Sequence, residues 1–444
     1  MKIQIFNGLV LLPGGIRKTD IEIENGKIKK IGKDLKEDSK AKRFYAGGNY
    51  ILPGFIDMHT NGIAGFDLTN GVFDTRTGKF ISKPDVYLKG LEAATGQYVK
   101  NGTTLIGFTS LEAPIDRLKK IFGLIAKHKE NKNSIFKDIL FGIYIEGTFM
   151  KDKEFRGAHN PKYFFKPTIK LFDELQKASK GNIKIVNVVP EWGKDALTLI
   201  EYLSSKNVIC AAGHSGANGE QYRAAVEKGL TIAIHVLNGP SSSSSKPFNG
   251  AGVLEALLLS DEVFAEIIVD GYHVDKSYVM DILKRKGLDK CLAISDSMFA
   301  VKMKGVKNFE ISGVKGRVSK NRKYLQIVDR GDALYGSVLT MDKAFENLVN
   351  WFMQPITGIW NELHKPCSFD EALIKASKLC SVTPAKALGV YIPSKMNADN
   401  NLSFGTGSIS VGKRADLVLL GIKNHRDKIS IKVKNTIVNG KVVY

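Results

Sequence analysis

The sequence predicts an α/β fold: a closed (β/α)8 TIM-type barrel accompanied by a small β domain assembled from the two chain ends. Three observations carry that prediction. The ends are rich in short β-like runs, the long middle alternates apolar runs with amphipathic stretches, and ionisable residues fall where several of those runs finish. At 444 residues the chain also exceeds a single barrel of about 250 residues, which leaves room for the accessory domain.

The first 50 residues alternate β-like runs with turns. Ile3-Gln4-Ile5-Phe6 is followed by Asn7-Gly8, and Ile21-Glu22-Ile23 by Glu24-Asn25-Gly26. Asn-Gly between alternating apolar residues predicts hairpins, because both residues tolerate the positive φ of a tight turn. Residues 396–444 behave similarly, with Asp416-Leu417-Val418-Leu419-Leu420 and a second run ending in Val438-Asn439-Gly440-Lys441. Chain termini commonly lie near each other, so the two ends are expected to pair. The predicted units are therefore 1–50 and 396–444 as two parts of one β domain, a small β-sandwich, with 51–395 as the barrel.

Within the middle, apolar runs at 103–108, 208–212 and 264–269 precede helical stretches at 115–127, 219–228 and 277–286, and further runs occupy 139–145, 183–189, 231–236 and 291–294. Short apolar strands alternating with helices form parallel sheets covered on both faces. Close to eight such units in roughly 340 residues favour a closed barrel over an open sheet. No GxGxxG follows any of these runs, which argues against a dinucleotide site. The serine run 241–245 reads as a loop.

Composition excludes several classes of function. The four cysteines, Cys210, Cys291, Cys367 and Cys380, have no CxxC spacing, so neither a disulfide framework nor a cysteine zinc site is expected, and a reducing compartment is. No run approaches the roughly 20 apolar residues of a membrane span, and residues 1–10 read as a strand and not as a signal peptide. A soluble, cytoplasmic protein with no membrane partner is expected. The formal charge is +20, but the lysines are dispersed over 27–33, 119–132 and 302–323 and no nucleic-acid-binding module is present. Nucleic acid is therefore not an expected partner; a lysine-rich surface that attracts a small anion is the alternative.

Candidate chemistry lies at the run ends, where barrels carry their active sites. The run 51–57 leads to His59, 139–145 ends at Glu146-Gly147, 208–213 at His214, 231–234 at His235 and 291–295 at Asp296. Each alone has an ordinary structural explanation. Together, Glu146, His214 and His235 make a set of two imidazoles and one carboxylate with a coordination position left for water. Asp296 suits a general base and acid, while Ser295-Asp296-Ser297 equally suits a helix cap. His273 follows 264–269 and is expected at the same mouth, and His159 sits in the loop after Glu146. His128, His364 and His425 are expected in solvent. No GxSxG or cysteine–histidine signature supports a side-chain nucleophile.

Ten segments, spread in order over nearly the whole chain, resemble the N-acetylglucosamine-6-phosphate deacetylases of the amidohydrolase superfamily. Among them are Pro53-Gly54-Phe55-Ile56-Asp57-Met58-His59, Tyr144-Ile145-Glu146-Gly147, Gly157-Ala158-His159-Asn160-Pro161, Val189-Pro190-Glu191 and Ala212-Gly213-His214-Ser215. The others are His235-Val236-Leu237-Asn238, Asp270-Gly271-Tyr272-His273-Val274, Ser295-Asp296-Ser297-Met298, Leu334-Tyr335-Gly336-Ser337 and Gly412-Lys413-Arg414-Ala415-Asp416-Leu417. The resemblance implies a metal-dependent hydrolase with a barrel and a split β-sandwich, a homodimer, and removal of acetate from a 6-phosphorylated N-acetylhexosamine. It matches Glu146, His214 and His235 to the metal ligands and Asp296 to the catalytic aspartate. Ala158, His159, Asn238, Gly239, His273, Leu334, Tyr335, Gly336 and Ser337 match substrate contacts. The implied cofactor is one divalent ion per chain, with zinc expected and Fe2+, Co2+ or Mn2+ compatible with the same donors.

Some positions depart from that pattern. Where binuclear relatives carry His-x-His, this chain has His59-Thr60-Asn61. An asparagine oxygen is a poor zinc ligand, so one tight metal is expected, with His59 marking a weaker second site. Lys246 takes the place of the phosphate-binding arginine and offers a point charge without the bidentate fork. Asn238-Gly239-Pro240 and Glu146-Gly147-Thr148 also differ from the family segments. These departures bear on substrate more than on reaction. They leave open N-acetylgalactosamine 6-phosphate, an unphosphorylated N-acetylhexosamine or another N-acyl compound. A non-catalytic sugar-phosphate-binding regulator would lack a ligand or base, and none is missing here.

Overall fold

Gly54 divides what reads as one apolar run into two strands that belong to different sheets. Tyr50–Pro53 pairs antiparallel with Leu417–His425, with Leu52 opposite Val418, whereas Phe55–Thr60 pairs parallel with Thr103–Ser110. The amide of Gly54 bonds Asp416 O at 2.9 Å and the next amide, Phe55, bonds Gly102 O at 3.0 Å, so the chain changes sheets between consecutive residues. The computed structural model describes all residues except 239–241, 329, 359–361, 394–401 and 426–427. The predicted boundary at 395–396 lies outside the described residues.

Both chain ends enter one eight-stranded sheet. Its path runs Lys441–Val442, Lys428–Val438, Leu417–His425, Tyr50–Pro53, Lys2–Leu12, Gly15–Glu24, Lys27–Gly32, with Lys42–Tyr45 paired beside Lys2–Leu12. Its inward side chains, among them Ile3, Ile5, Ile21, Ile23, Ile51, Leu417 and Leu419, form a separate small core. Asn25-Gly26 and Asn439-Gly440 do make hairpin turns, each with both residues at positive φ. Asn7-Gly8 does not. Asn7 has a φ of 57°, but the strand Lys2–Leu12 continues through it with a bulge between Ile5 and Gly8, because Asp20 accepts from the Asn7 amide and holds the kink in place.

The barrel consists of eight parallel strands in sequence order: Phe55–Thr60, Thr103–Ser110, Leu140–Phe149, Ile183–Val188, Ile209–Ala212, Leu230–Ala233, Phe264–Ile268 and Cys291–Ile294. Every residue of the second and third strands is buried, which is why they read as continuous apolar runs. The eighth strand returns to the first through Asp57, which accepts from both the amide and the hydroxyl of Ser295, and through Asp296 N, which donates to His59 O at 2.9 Å. The helices Pro84–Lys100, Ile115–Lys129, Ile169–Ala178, Lys194–Ser205, Gly219–Glu227, Val253–Leu259, Lys276–Lys286 and Met341–Phe352 follow the strands in turn.

One insertion matters for the site. Between the eighth strand and its helix, Asn308–Ile311, Val314–Val318 and Leu325–Ile327 form a three-stranded antiparallel sheet over its own core of Phe299, Phe309, Ile311, Leu325 and Tyr335. Ser312-Gly313, both at positive φ, makes its first turn, and Asn160 Nδ2 donates to Ser312 O at 2.6 Å. Arg330 Nη1 likewise donates to Gly157 O at 2.5 Å, so the insertion leans on the 156–161 loop. Two histidines expected in solvent are packed instead: His128 is buried against Glu92 at 2.7 Å, and His364 Nε2 bonds Phe352 O at 2.8 Å. The side chain of His425 lies outside the described residues. All four cysteines are unpaired, and no described helix is long and apolar enough to cross a membrane.

Candidate active site

The strand ends converge on one cavity of about 450 Å3, within the range of small-molecule sites. At its floor, four imidazoles surround the Glu146 carboxylate, which the fully buried third strand projects inward. His235 Nε2 lies 3.0 Å from Glu146 Oε1, His214 Nε2 3.6 Å and His159 Nε2 3.8 Å, while His59 Nε2 lies 3.5 Å from Oε2. Ligand atoms of His59, Glu146 and His235 all fall within 4.8 Å of one another, as do those of Glu146, His159 and His214. An ion with bonds of roughly 2.1 Å spaces tetrahedral ligands roughly 3.4 Å apart, so the donor set suits a divalent metal in both chemistry and spacing.

In each of these histidines, and in His273, the other ring nitrogen is already committed. His214 Nδ1 donates to Phe155 O at 2.9 Å and His235 Nδ1 to Asn238 O at 2.8 Å. His59 Nδ1 pairs with Glu266 at 2.9 Å, His159 Nδ1 with Glu112 at 2.5 Å and His273 Nδ1 with Asp270 at 2.7 Å. A carbonyl or carboxylate on Nδ1 fixes the proton there and turns Nε2 toward the ligand, as in metal-binding histidines generally. The Nε2 atoms of His59 and His273 are buried without a hydrogen-bond partner, which is expected of groups shaped for something other than protein.

The backbone is strained where the chemistry is. His214, His235 and Asp296 adopt φ of 56°, 26° and 47°, a region that costs a non-glycine residue of order 1–3 kcal/mol. Each lies two residues past its strand, where the reversal turns the side chain into the mouth. Close packing imposes glycines beside them. A Cβ on Gly157, itself at φ +54°, would sit 2.5 Å from His214 Cε1, and one on Gly147 would sit 2.8 Å from His159 Nδ1.

Electrostatics separates the histidines. Burial pushes His214 down to about 4, leaving it neutral, as a ligand must be. Burial also works against charge on His159, but Glu112 outweighs it and holds the ring up at about 10. Glu146 is kept well below the usual carboxylate range: burial opposes its charge, and His59 with the other three imidazoles prevails. Asp296 is raised by burial, with His59 opposing and Glu146 adding to the shift. Its Oδ1 accepts from Asn61 Nδ2 at 2.7 Å, and no described hydrogen bond engages Oδ2.

Glu146, His214, His235 and Asp296 thus meet at one mouth, together with His59. The cavity is lined by Ala158, His159, Asn238, His273, Leu334, Tyr335 and Gly336 among the expected contacts, while Gly239 lies outside the described residues. Two expected contacts do not line the cavity of their own chain. Ser337 is fully buried behind the wall, its hydroxyl donating to Ser295 O, because it splints the eighth strand end. Lys246 is exposed and does not line the cavity. Among the described residues of the wall, Arg330 is the one arginine or lysine, brought there beside the inserted sheet. Glu112, Glu266 and Asp270 orient the histidines. Glu112 stands two residues past the second strand, at the same offset as His214, His235 and Asp296 from theirs, so the strand-end rule finds it. Asn61 and Arg330 carry no such signal.

A model of the amidohydrolase family matches residues 50–443. The N-acetylglucosamine-6-phosphate deacetylase of Lysinibacillus sphaericus is 28% identical over 367 residues, covering 81% of this chain and 84% of that protein. The N-acetylgalactosamine-6-phosphate deacetylase of Escherichia coli O157:H7 is 26% identical, covering 86% of each. Among solved structures, a variant of the Mycobacterium smegmatis N-acetyl-D-glucosamine-6-phosphate deacetylase in complex with N-acetyl-D-glucosamine-6-phosphate aligns over 100% of this chain and 99% of its own, with a TM-score of 0.76 and 23% identity.

Proposed function

Because the chain belongs to the amidohydrolase family, we propose that it is a metal-dependent deacetylase that hydrolyses the N-acetyl amide of N-acetylglucosamine 6-phosphate to glucosamine 6-phosphate and acetate. The observation that carries this reading is the meeting of Glu146, the Nε2-presenting His214 and His235, and Asp296 at one cavity. It accords with the names of the relatives at 26–28% identity over most of the chain.

Glu146, His214 and His235 would hold one divalent ion, zinc by preference, with Fe2+, Co2+ or Mn2+ acceptable to the same donors. When bound, such an ion supplies Lewis acidity to water and to the acyl carbonyl. His59, whose ligand atom lies within 4.8 Å of those of Glu146 and His235, marks a weaker site. His159, its Nδ1 held by Glu112 and its ring lining the cavity, suits a contact with substrate.

The chain's own residues then divide the work. Asn61 fixes Asp296 Oδ1 and leaves Oδ2 to take the proton of the attacking water. As the water oxygen bonds to the carbonyl carbon, His273, its Nδ1–H kept on Asp270 and its ring doubly protonated, donates from the cavity-facing Nε2 to the oxyanion. Asp296 returns its proton to the amine nitrogen as the C–N bond breaks and acetate forms. Its raised affinity for a proton suits that shuttle.

The same chemistry on the galactosamine epimer is the second reading, favoured by the Escherichia coli relative, whose identity is nearly as high. A homodimer is part of the proposal: Lys246 and Phe248 stand exposed outside their own cavity, Phe248 at 77%, where a second copy can cover them. The unpaired cysteines support a cytoplasmic setting. The test is acetate release from N-acetylglucosamine 6-phosphate by metal-stripped protein and by the same protein reloaded. Release only after reloading is expected; equal release in both would remove metal from the reaction.

A further inference from the structure

We infer that Arg330 is the residue that selects an anionic substrate at this cavity, its guanidinium gripping the phosphate of the sugar. The inference rests on the deacetylase reading and adds to it the residue that recognises the anion. Residues 246 and 330 compete for that role. Lys246 is exposed and absent from the wall of its own chain's cavity, so within one chain the position falls to Arg330, which lines the wall beside the inserted sheet.

Three observations support Arg330. Its Nη1 donates to Gly157 O at 2.5 Å, which pins the guanidinium beside the loop that carries His159. Its remaining N–H groups make no hydrogen bond and no ion pair with the described residues, and Asp332, which lines the same cavity, does not pair with it. A second cation, Arg156, stands close enough that its charge, after burial, lowers the proton affinity of Arg330. Two neighbouring positive charges repel each other, and a dianion held by Arg330 beside Arg156 offsets that repulsion. The planar fork of arginine also matches two phosphate oxygens at once, which lysine cannot do. The bland alternative is that Arg330 only fastens the inserted sheet to the 156–161 loop through Gly157.

Steady-state acetate release from N-acetylglucosamine 6-phosphate and from its unphosphorylated parent separates these roles, using wild type, Arg330→Gln and Arg330→Lys, with inorganic phosphate as competing inhibitor. We expect Arg330→Gln to lose on the order of 10²-fold in kcat/KM for the phosphorylated sugar, carried by KM, as befits two lost charge-assisted hydrogen bonds. Rates on the parent should stay unchanged, and inhibition by phosphate should weaken in parallel. Arg330→Lys should fall between the two because it restores charge without the fork. Equal losses on both sugars would assign Arg330 a fastening role and overturn the inference. So would a phosphate-selective loss in Lys246→Ala with Arg330→Gln behaving as wild type. Wild-type protein that releases acetate from neither sugar would instead sink the deacetylase reading itself.

Discussion

Asp296 illustrates how one residue can satisfy two local readings. It stands in cap-like Ser295-Asp296-Ser297, yet no helix starts there. Its φ of 47° turns the carboxylate into the mouth, and Asn61 holds one oxygen. Asp296→Asn should retain metal, since the ligands are untouched, while turnover falls by roughly 10²–10⁴-fold; metal content and kcat measured on the same preparation check this, and normal turnover would remove Asp296 from the mechanism. The convergence of Glu146, His214 and His235 was legible because each ends or follows an apolar run, and barrels place functional side chains at those positions. Asn61 was legible only as a missing ligand. Its role as a donor to Asp296 depends on the approach of the eighth strand to the first, 235 positions away in sequence. Lys246 stands at a phosphate-binding position of the family pattern, but alignment fixes only order along the chain, and the residue is exposed outside the cavity of its own chain.

At the scale of elements, periodicity located the barrel strands and misjudged where one ended. Nothing in Ile51–Asp57 signals a change of sheet except Gly54, because both halves are equally apolar. Asn7-Gly8 has hairpin chemistry and sits in a bulge, since tertiary bonding to Asp20 decides which use the positive φ serves. The inserted sheet escaped the strand–helix pattern. Its β-like alternation around Ser312-Gly313 is readable as a hairpin, but nothing local says that it reaches the mouth. The closure between first and eighth strands makes its own prediction through Asp57, which burial raises to about 7 against the hydrogen bonds of Ser295. The folded state therefore keeps a proton that the unfolded state releases above about 3.8, so this contribution to stability is present at low pH and lost as pH rises toward 7. Asp57→Asn cannot ionise. Denaturant unfolding from about pH 4 to about pH 7 should show the variant gaining on wild type as pH rises; parallel pH profiles would contradict the assignment.

Across the whole molecule, the barrel supplies rigidity, the end sheet is fastened beneath it, and charge extends beyond both. Arg414, fully buried on the end-sheet side, pairs with Asp416 at 3.1 Å and donates to Asp138 O on the barrel, while Thr436 Oγ1 donates to Val99 O at 2.6 Å. These bonds hold the C-terminal part of the end sheet against the barrel helix Pro84–Lys100 and the short helix Phe136–Ile139. The formal charge is +20, and a surface with that net charge would draw in the anionic substrate of the proposed reaction. Raising ionic strength from low to physiological should therefore lower kcat/KM for a phosphorylated sugar by roughly two- to tenfold, with little change for its uncharged parent. The same slope for both substrates would place the salt effect on the protein instead of on encounter.

The account stands most directly on acetate release by metal-assayed wild-type protein given N-acetylglucosamine 6-phosphate, its galactosamine epimer and the unphosphorylated parent in parallel. It predicts about one tightly held divalent ion per chain, with acetate and free amine formed in equal amounts and fastest from N-acetylglucosamine 6-phosphate. No acetate from any of the three, with metal in place, would contradict it.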